Sequence, residues 1–220
     1  MSGEDFAVIN ALQTWSSWRT IPKNLTGRLP DRPVTAIDLC SGIGDSTAVL
    51  AYYCPPGSRL LGLEYNRKFV EQAIGRVYAG ADANPANVRF RVQNVLDEFR
   101  DDAGARIPDE SVDLVNACGA IGCHFDVGDL AVLVRECARV LRAGGLATLD
   151  TGPQGAGADD LVRVFRPYGF VPANRARSCF LDRRPQLCLQ KSPRVTIQER
   201  DKGTPAPRRP LPRTQRDRRC

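Results

Sequence analysis

The residues best suited to chemistry stand in a short glycine-containing segment that follows an apolar run. Residues 34–39 are mostly apolar but include Asp38, and Gly42 and Gly44 follow at alternate positions. Glycine lets a backbone turn sharply and approach a ligand closely, because it has no Cβ. The free N–H groups at the start of the following helix favour an anion. The segment therefore predicts a ligand-binding loop between a strand and a helix, suited to a phosphate or a carboxylate.

A second candidate group is the carboxylate of Glu64, which ends the next apolar run twenty residues after Gly44. In a doubly wound sheet this position faces the crevice that holds a nucleotide. Its two oxygens suit the two hydroxyls of a ribose. The next residue, Tyr65, is placed to lie on an adenine face. Glu64 alone fits S-adenosylmethionine and NAD equally.

The spacing of the loop distinguishes these two ligands. A dinucleotide loop has the pattern G-x-G-x-x-G, but Thr47 stands at the third glycine position. Asp38, Cys40, Gly42 and Gly44 instead follow D-x-G-x-G-x-G, with Cys40 in place of the first glycine. This loop resembles that of class I S-adenosylmethionine-dependent methyltransferases, and the resemblance extends from about residue 34 to residue 190.

Other segments match that family in the same order. Residues 111–117 resemble its fourth strand, and Arg139-Val-Leu-Arg-Ala-Gly-Gly145 is similar to the R-V-L-x-x-G-G turn before its fifth strand. The resemblance implies that Asn94 and Val95 contact the adenine, although the family commonly has an acid at the position of Asn94. It also implies cofactor contacts from the remaining predicted residues: Asp38, Cys40, Ser41, Gly42, Gly44, Glu64, Tyr65, Asn116 and Ala117.

The resemblance implies transfer of a methyl group to a nucleophile, and two residues are candidates for assisting it. His124, the single histidine, follows the fourth strand at the carboxyl end of the sheet, where ligands bind. Imidazole exchanges protons near neutral pH, so His124 is a candidate general base; a loop or capping role is the alternative. Asp150 ends the fifth strand and is a candidate for orienting the acceptor, or else a turn residue.

Strand and helix patterns alternate along the chain, which predicts an α/β fold with a doubly wound parallel sheet. A hairpin of Arg177–Leu181 and Gln186–Gln190 adds an antiparallel terminal strand. The resemblance implies the seven-stranded Rossmann-like methyltransferase fold. The predicted strands are residues 34–39, 59–64, 88–93, 112–117 and 146–150, and the predicted helices are residues 6–18, 67–80, 129–141 and 159–168.

The chain divides into three predicted segments. Residues 1–33 are a helix over Phe6–Trp18 and a linker over Ile21–Pro33, expected to cover the site, and one of two tryptophans is a candidate contact for the acceptor. Residues 34–195 are the catalytic domain. Residues 196–220 are a basic tail rich in proline and arginine, expected to be disordered. Residues 201–220 hold seven Lys or Arg and two Asp, so they supply +5 of the net charge of +6.

Composition narrows the function classes. The remaining near-neutral body makes a nucleic-acid partner unlikely, and no apolar run reaches the roughly 20 residues of a membrane helix. The acidic start lacks a signal segment, and the eight cysteines form no C-x-x-C pair, so a cytoplasmic protein without a zinc site is predicted. A homo-oligomer that shares its acceptor pocket is also compatible with the sequence.

These observations predict a methyltransferase that acts on oxygen or nitrogen of a small-molecule acceptor. Three alternatives remain. One is a protein or RNA methyltransferase that uses the basic tail as a tether. Another is a non-catalytic S-adenosylmethionine-binding partner subunit. The last is an NAD-dependent oxidoreductase, which the missing third glycine and the lack of a Tyr-x-x-x-Lys pair disfavour.

Overall fold

The computed structural model describes residues 11–79, 87–180 and 185–193. Within them, strands alternate with helices and form one seven-stranded sheet of order β3-β2-β1-β4-β5-β7-β6. The strands are β1 (Thr35–Leu39), β2 (Arg59–Glu64), β3 (Val88–Val92), β4 (Val112–Ala117), β5 (Leu141–Asp150), β6 (Phe170–Ala176) and β7 (Gln186–Lys191). The helices are α1 (Ala11–Leu25), α2 (Asp45–Tyr53), α3 (Arg67–Ile74), α4 (Ile121–His124), α5 (Val127–Val140) and α6 (Ala158–Phe165), and a 3₁₀ turn covers Arg166–Tyr168.

The sheet has the predicted topology. Strands β1 to β5 pair in parallel, and β7 runs antiparallel to both β5 and β6. Among the described strands, β7 alone therefore runs opposite to the other six. The predicted α/β doubly wound, mostly parallel seven-stranded sheet is confirmed.

Alternate residues of the central strands supply two apolar layers. On one face, Ala36, Leu60 and Leu114 pack against Ile21 of α1 and Leu50 of α2. On the other face, the residues of opposite orientation pack against α5 and α6, as Ile37, Leu63 and Val115 do. Both faces are buried, which explains why the parallel strands have apolar rather than alternating sequences. The carboxyl ends of these strands are held in place from both sides.

Two sequence predictions of secondary structure were wrong. Ile21–Pro33 was expected to be a linker because of its prolines, but α1 continues through Pro22 to Leu25. Ile21 and Leu25 are buried in the core, and this packing outweighs the helix-breaking tendency of Pro22. The first hairpin strand is Phe170–Ala176 and not Arg177–Leu181, because the buried Phe170 and Ala176 fit the sheet.

Other boundaries moved without changing the fold. Helix α3 ends at Ile74, whereas a helix over residues 67–80 was predicted, and Gly80 lies outside the described residues. The first part of the predicted helix Phe6–Trp18, up to residue 10, also lies outside them, as do residues 196–220. Within the described part of the chain, no helix combines the length and apolar character needed to cross a bilayer.

Candidate functional site

A cavity of about 480 Å³ opens at the carboxyl ends of β1 to β4. This is the edge where ligands bind in open parallel sheets. Eight of the predicted site residues line it: Cys40, Ser41, Gly42, Glu64, Tyr65, Asn94, Val95 and His124. The other five predicted residues, Asp38, Gly44, Asn116, Ala117 and Asp150, lie behind this wall.

Asp38 holds the β1–α2 loop in place. Its Oδ2 accepts hydrogen bonds from Ser46 Oγ at 2.7 Å and Thr47 Oγ1 at 2.6 Å. Its Oδ1 accepts one from Asn116 Nδ2 at 2.7 Å. Burial raises the pKa of the Asp38 carboxyl, while the hydrogen bonds from Thr47, Asn116 and Ser46 lower it. Asp38 therefore ties the end of β1 to the first turn of α2 and to β4.

The loop backbone depends on residues in the left-handed region. Gly42 and Gly44 have φ of 55° and 89°, and Cys40 has φ of 51°. Cys40 stands where the family pattern has its first glycine. The left-handed backbone at this position explains why the pattern has glycine there. A side chain at Gly44 would collide with the Tyr78 hydroxyl. The loop thus bends tightly over the cavity.

The residues of the loop fit a polar ligand in the cavity. Ser41 is 4% exposed and lines the cavity. Its Oγ has no hydrogen-bond partner among the described residues. Most buried hydroxyls are hydrogen-bonded, so this hydroxyl is available to a bound molecule. The glycine at position 42 leaves the adjacent wall without a side chain.

Glu64 joins the loop to the end of β2. Its Oε2 accepts a hydrogen bond from the Gly42 N–H at 3.0 Å, and its Oε1 accepts one from the Asn66 N–H at 2.8 Å. The carboxylate is 9% exposed. Each oxygen retains a further lone pair, so the oriented carboxylate can also accept from a diol.

The loop after β3 forms the next part of the wall. Asn94 Oδ1 accepts a hydrogen bond from the Leu96 N–H at 3.0 Å, which fixes a turn and also engages the oxygen predicted to meet the adenine. Gln93 braces this turn by donating to Glu98 O at 2.9 Å and accepting from the Arg100 N–H. Across the cavity, Tyr65 is 77% exposed, which leaves its ring available to a ligand.

Asn116 belongs to a buried row of polar side chains that crosses the sheet. Its Oδ1 accepts from Thr148 Oγ1 at 2.8 Å and from Gln186 Nε2 at 2.9 Å. Gln186 Nε2 also donates to the Ala117 carbonyl at 3.1 Å, and Asn24 of α1 donates to Gln186 Oε1 at 3.0 Å. Because Asn116 also donates to Asp38, the row links the β1–α2 loop to α1.

Asp150 fixes the position of α4 through hydrogen bonds to its first backbone N–H groups. Its Oδ1 accepts from the N–H groups of Ala120 and Ile121 at 3.2 and 3.1 Å, and its Oδ2 accepts from the Gly122 N–H at 2.9 Å. Burial raises the pKa of its carboxyl, while these backbone hydrogen bonds lower it. His124, the last residue of α4, is exposed and lines the cavity. Asp150 thus orients the short helix that carries His124.

Three glycines lock the loops after β4 and β5 together. A Cβ on Gly122 would collide with backbone atoms of Thr151 and Gly152, and one on Gly155 would meet Ile121 O. The two segments also exchange backbone hydrogen bonds, from Gly155 N to Gly122 O at 2.8 Å and from Ala156 N to Ile121 O at 3.2 Å. The cavity wall that carries His124 therefore consists of two loops whose backbones pack directly against each other.

Several cavity residues were missed by sequence reasoning, namely Ser17, Asp45, Ser46, Phe69, Gln93, Leu96, Cys118, Gly119, Ala120, Phe125 and Asp129. Ser17 comes from α1, and its Oγ lies 3.1 Å from Cys118 Sγ. Helix α1 therefore contributes Ser17 to the cavity wall, and neither Trp15 nor Trp18 is among the described lining residues. Trp18 instead packs edge-on against Tyr52, with ring centroids 5.6 Å apart.

No group of three or more His, Cys, Asp or Glu side chains suited to a metal ion occurs in residues 11–79, 87–180 and 185–193. Cys40 and Cys118 line the cavity as thiols. Burial, followed by the charge of Glu64, raises the pKa of Cys40. Burial, followed by the charge of Asp150, raises that of Cys118.

Comparisons with solved structures support the fold. The chain is similar, at 17% identity and a TM-score of 0.63, to a chain in the complex between the Haloferax volcanii Trm112 methyltransferase activator and a putative methyltransferase, covering 87% of this chain and 96% of that one. It is similar, at 15% identity and 0.60, to a TehB-like SAM-dependent methyltransferase from Corynebacterium glutamicum, covering 86% and 97%.

A third similar structure is geranyl diphosphate C-methyltransferase from Streptomyces coelicolor, at 15% identity and a TM-score of 0.58, covering 77% of this chain and 75% of that one. A search of curated proteins gives no significant match. Residues 36–145, from β1 to the turn within β5, match the family model described as a methyltransferase domain. The chain belongs to the class I S-adenosylmethionine-dependent methyltransferases.

Proposed function

We propose that this methyltransferase acts on an oxygen or nitrogen atom of a small-molecule acceptor bound in the cavity. The observation that carries the proposal is that His124 and the cofactor loop line one cavity of about 480 Å³. Pockets for small molecules have volumes of roughly 300–1,000 Å³. Ser17 from α1 contributes to the same wall, which makes α1 part of the cover over the acceptor.

Each predicted cofactor residue has a proposed task. Ser41 Oγ and the backbone at Cys40 and Gly42 hold the polar end of the cofactor, and Glu64 accepts hydrogen bonds from its ribose. Tyr65, Asn94 and Val95 enclose the adenine. The residues behind the wall, Asp38, Gly44, Asn116 and Ala117, keep the loop and the end of β4 in the binding shape. When bound, S-adenosylmethionine supplies an electrophilic methyl carbon.

His124 is the proposed proton acceptor for the nucleophile. It is exposed at the cavity wall, so it can pass a proton on to water. A positioned general base contributes roughly 10²–10⁴-fold to rate. Asp150 has a proposed positioning role, because its hydrogen bonds to the backbone of α4 set the direction of His124. The sequence left open whether Asp150 orients the acceptor by contact or is a turn residue, and its buried position behind Ala120 favours the indirect role.

The first experiment measures cofactor binding by calorimetry. Glu64→Ala should weaken binding of S-adenosylmethionine more than tenfold, since it removes the ribose acceptor and frees the Gly42 N–H. Glu71→Ala, a change of the same kind on the exposed side of α3, is the matched control and should bind normally. Unchanged affinity in Glu64→Ala would refute the assignment of the ribose site.

The second experiment is a screen of small-molecule acceptors that detects S-adenosylhomocysteine. With an acceptor identified, His124→Ala should lower kcat at least about a hundredfold while calorimetric affinity for S-adenosylmethionine stays the same. A fully active variant would exclude His124 from proton transfer. Turnover of protein or RNA in the same assay, lost on deletion of residues 201–220, would favour the tethered alternative.

A partner-dependent enzyme is the second candidate, because one similar fold occurs in a complex with a methyltransferase activator. This candidate predicts that the chain alone binds S-adenosylmethionine without turnover. Cofactor binding combined with acceptor turnover by the purified chain would argue against it. A homo-oligomer that completes the pocket would instead show activity that depends on protein concentration.

A further inference from the structure

The cavity is lined by carboxylates, and this charge bears on the acceptor. Asp45, Glu64 and Asp129 all contribute to the wall. Among the described lining residues none is Lys or Arg. Building on the proposed function, we infer that the acceptor is a small molecule with a basic amine and no phosphate, sulfate or carboxylate, and that Asp129 faces this amine.

The three carboxylates differ in what they already bind. Asp45 Oδ1 is paired with Arg76 at 2.7 Å. Both oxygens of Glu64 accept backbone N–H groups, from Gly42 and Asn66. These two groups shape the cofactor side, and their charges are partly balanced by their donors.

Asp129 keeps an oxygen for a ligand. It stands in the first turn of α5, where its Oδ2 accepts the Asp126 N–H at 3.2 Å in a capping box. Its Oδ1 accepts no hydrogen bond from the described residues. Asp129 is partly buried at the wall shared with His124 and Phe125. A carboxylate oxygen on a cavity wall that also carries an aromatic ring and an imidazole is a suitable site for an ammonium group.

Two buried carboxylates extend the negative region beneath the wall. Asp38 lies under the cofactor loop, and Asp150 lies under Ala120. Burial raises the pKa values of Cys40 and Cys118 on this wall, and the nearby carboxylate charges raise them further. A cation entering the cavity is attracted by these charges, whereas an anion is repelled by them.

The charge distribution also suits methylation of an amine. The bound ammonium first loses a proton to His124 or water, which frees the nitrogen lone pair. This lone pair then forms the new bond to the methyl carbon while the carbon–sulfur bond breaks and its electron pair passes to sulfur. Positive charge thus moves from sulfur to nitrogen within the cavity. The methylated product leaves as an ammonium, so each turnover releases one proton, the one lost before the attack. Carboxylates around the cavity stabilise the cation at both ends of this transfer.

The test measures binding of three probes of similar shape to the full-length chain saturated with S-adenosylhomocysteine, by NMR titration. The probes are phenethylamine, phenethyl alcohol and hydrocinnamate, which are cationic, neutral and anionic. We expect phenethylamine to bind at least tenfold more tightly than hydrocinnamate. Asp129→Asn should reduce this ratio at least threefold. Asp126→Asn is the matched control, because it changes the same charge in the same capping box but does not line the cavity, and it should leave the ratio unchanged.

The outcomes separate cleanly. Equal or tighter binding of hydrocinnamate, binding of none of the probes at millimolar concentration, or an equal response of the two variants would overturn the inference. Circular dichroism checks that both variants fold, and asparagine retains capping ability at either position. Failure of S-adenosylmethionine itself to bind would instead remove the proposed function. Normal cofactor binding without the amine preference would remove this inference alone.

Discussion

Two buried carboxylates support the two walls of the cavity in different ways. Asp38, at the end of β1, accepts hydrogen bonds from the side chains of Ser46, Thr47 and Asn116. Asp150, at the end of β5, accepts from backbone N–H groups of residues 120–122. Both groups are almost completely buried, at 0% and 7% exposure. Asp38 therefore fixes the positions of neighbouring side chains, whereas Asp150 fixes the path of the main chain.

The difference determines how each wall responds to damage. Hydroxyl and amide donors around Asp38 can rotate toward other acceptors when the carboxylate is lost. The backbone donors above Asp150 point in directions fixed by the turn into α4, so they cannot adjust without rebuilding the loop. The wall that carries His124 thus depends more strongly on a single residue than the cofactor loop does.

The largest expected effect is on stability. Asp150→Ala leaves three backbone donors without an acceptor and should lower the free energy of unfolding by about 3 kcal/mol, whereas Asp38→Ala should cost about 2 kcal/mol. Urea unfolding of the two variants, followed by circular dichroism, measures both values. A smaller loss in Asp150→Ala than in Asp38→Ala would contradict the comparison.

The next effect concerns the strained position in the cofactor loop. A non-glycine residue in the left-handed region costs roughly 1–2 kcal/mol, and Cys40 has φ of 51°. Cys40→Gly should therefore be more stable than Cys40→Ala by about 1 kcal/mol, because both variants lose the thiol and only glycine relieves the strain. Thermal unfolding of the pair is the measurement, and equal stability would show that the loop relaxes.

A smaller effect is expected at the Ser41 hydroxyl. Because Oγ has no partner among the described residues, Ser41→Ala should leave stability nearly unchanged and weaken S-adenosylmethionine binding about fivefold, which corresponds to one hydrogen bond of about 1 kcal/mol. Ser111→Ala, far from the cavity on the β4 side of the sheet, serves as control for calorimetry. Loss of stability without loss of affinity would assign Ser41 a purely structural role.

The smallest expected effect is a difference between two carboxyl groups in how they make stability depend on pH. The pKa of the Asp150 carboxyl is raised by burial. The stabilisation that this carboxyl gives the folded state is therefore complete when the pH is below the ordinary pKa of 3.8, and it is lost as the pH rises through the raised pKa. Glu136 differs: burial raises its pKa, but hydrogen bonds from Arg139 and the Phe99 N–H outweigh burial and lower it. The stabilisation from Glu136 is therefore present when the pH is above the ordinary pKa of 4.5, and it is lost as the pH falls through the lowered pKa.

Urea midpoints measured across the acidic range test these opposite signs. Relative to Asp150→Asn, the unsubstituted chain should gain stability as pH falls. Relative to Glu136→Gln, it should lose stability as pH falls. The same sign for both pairs would mean that the environment of one carboxylate has been misassigned.

The sequence predicted the parts of the site that depend on local spacing. The parallel strands, the β1–α2 loop and the position of Glu64 at the end of β2 follow from apolar runs and glycine positions, and the loop and Glu64 line the cavity. Their contacts with the cofactor stay a prediction. The placement of Asp150 was predicted, but its task was not, since its partners are backbone N–H groups that leave no mark in a sequence. Ser17 and Asp129 were missed because only the tertiary fold brings α1 and α5 to the cavity.

Some missed features did have a signal. Gly119 and Gly122 precede His124, and Gly152 and Gly155 follow β5, so two glycine-containing loops at adjacent strand ends indicated a close backbone approach. Proline gave a misleading signal in α1, where burial of Ile21 and Leu25 outweighs its local preference. The first hairpin strand was predicted too late in the chain, at Arg177–Leu181, whereas the buried Phe170 and Ala176 belong to the strand that forms.

The buried amide of Gln186 also bears on how the last hairpin finds its alignment. A one-residue shift in the register of β7 would turn this amide into the apolar layer beneath α5 and α6. Asn24 and Asn116 would then lose their hydrogen-bond partner. Such a misaligned edge would expose donors and acceptors to an environment that cannot satisfy them. One glutamine thus favours the observed register of β7, because only this register lets Gln186 bond both Asn116 of the sheet and Asn24 of α1.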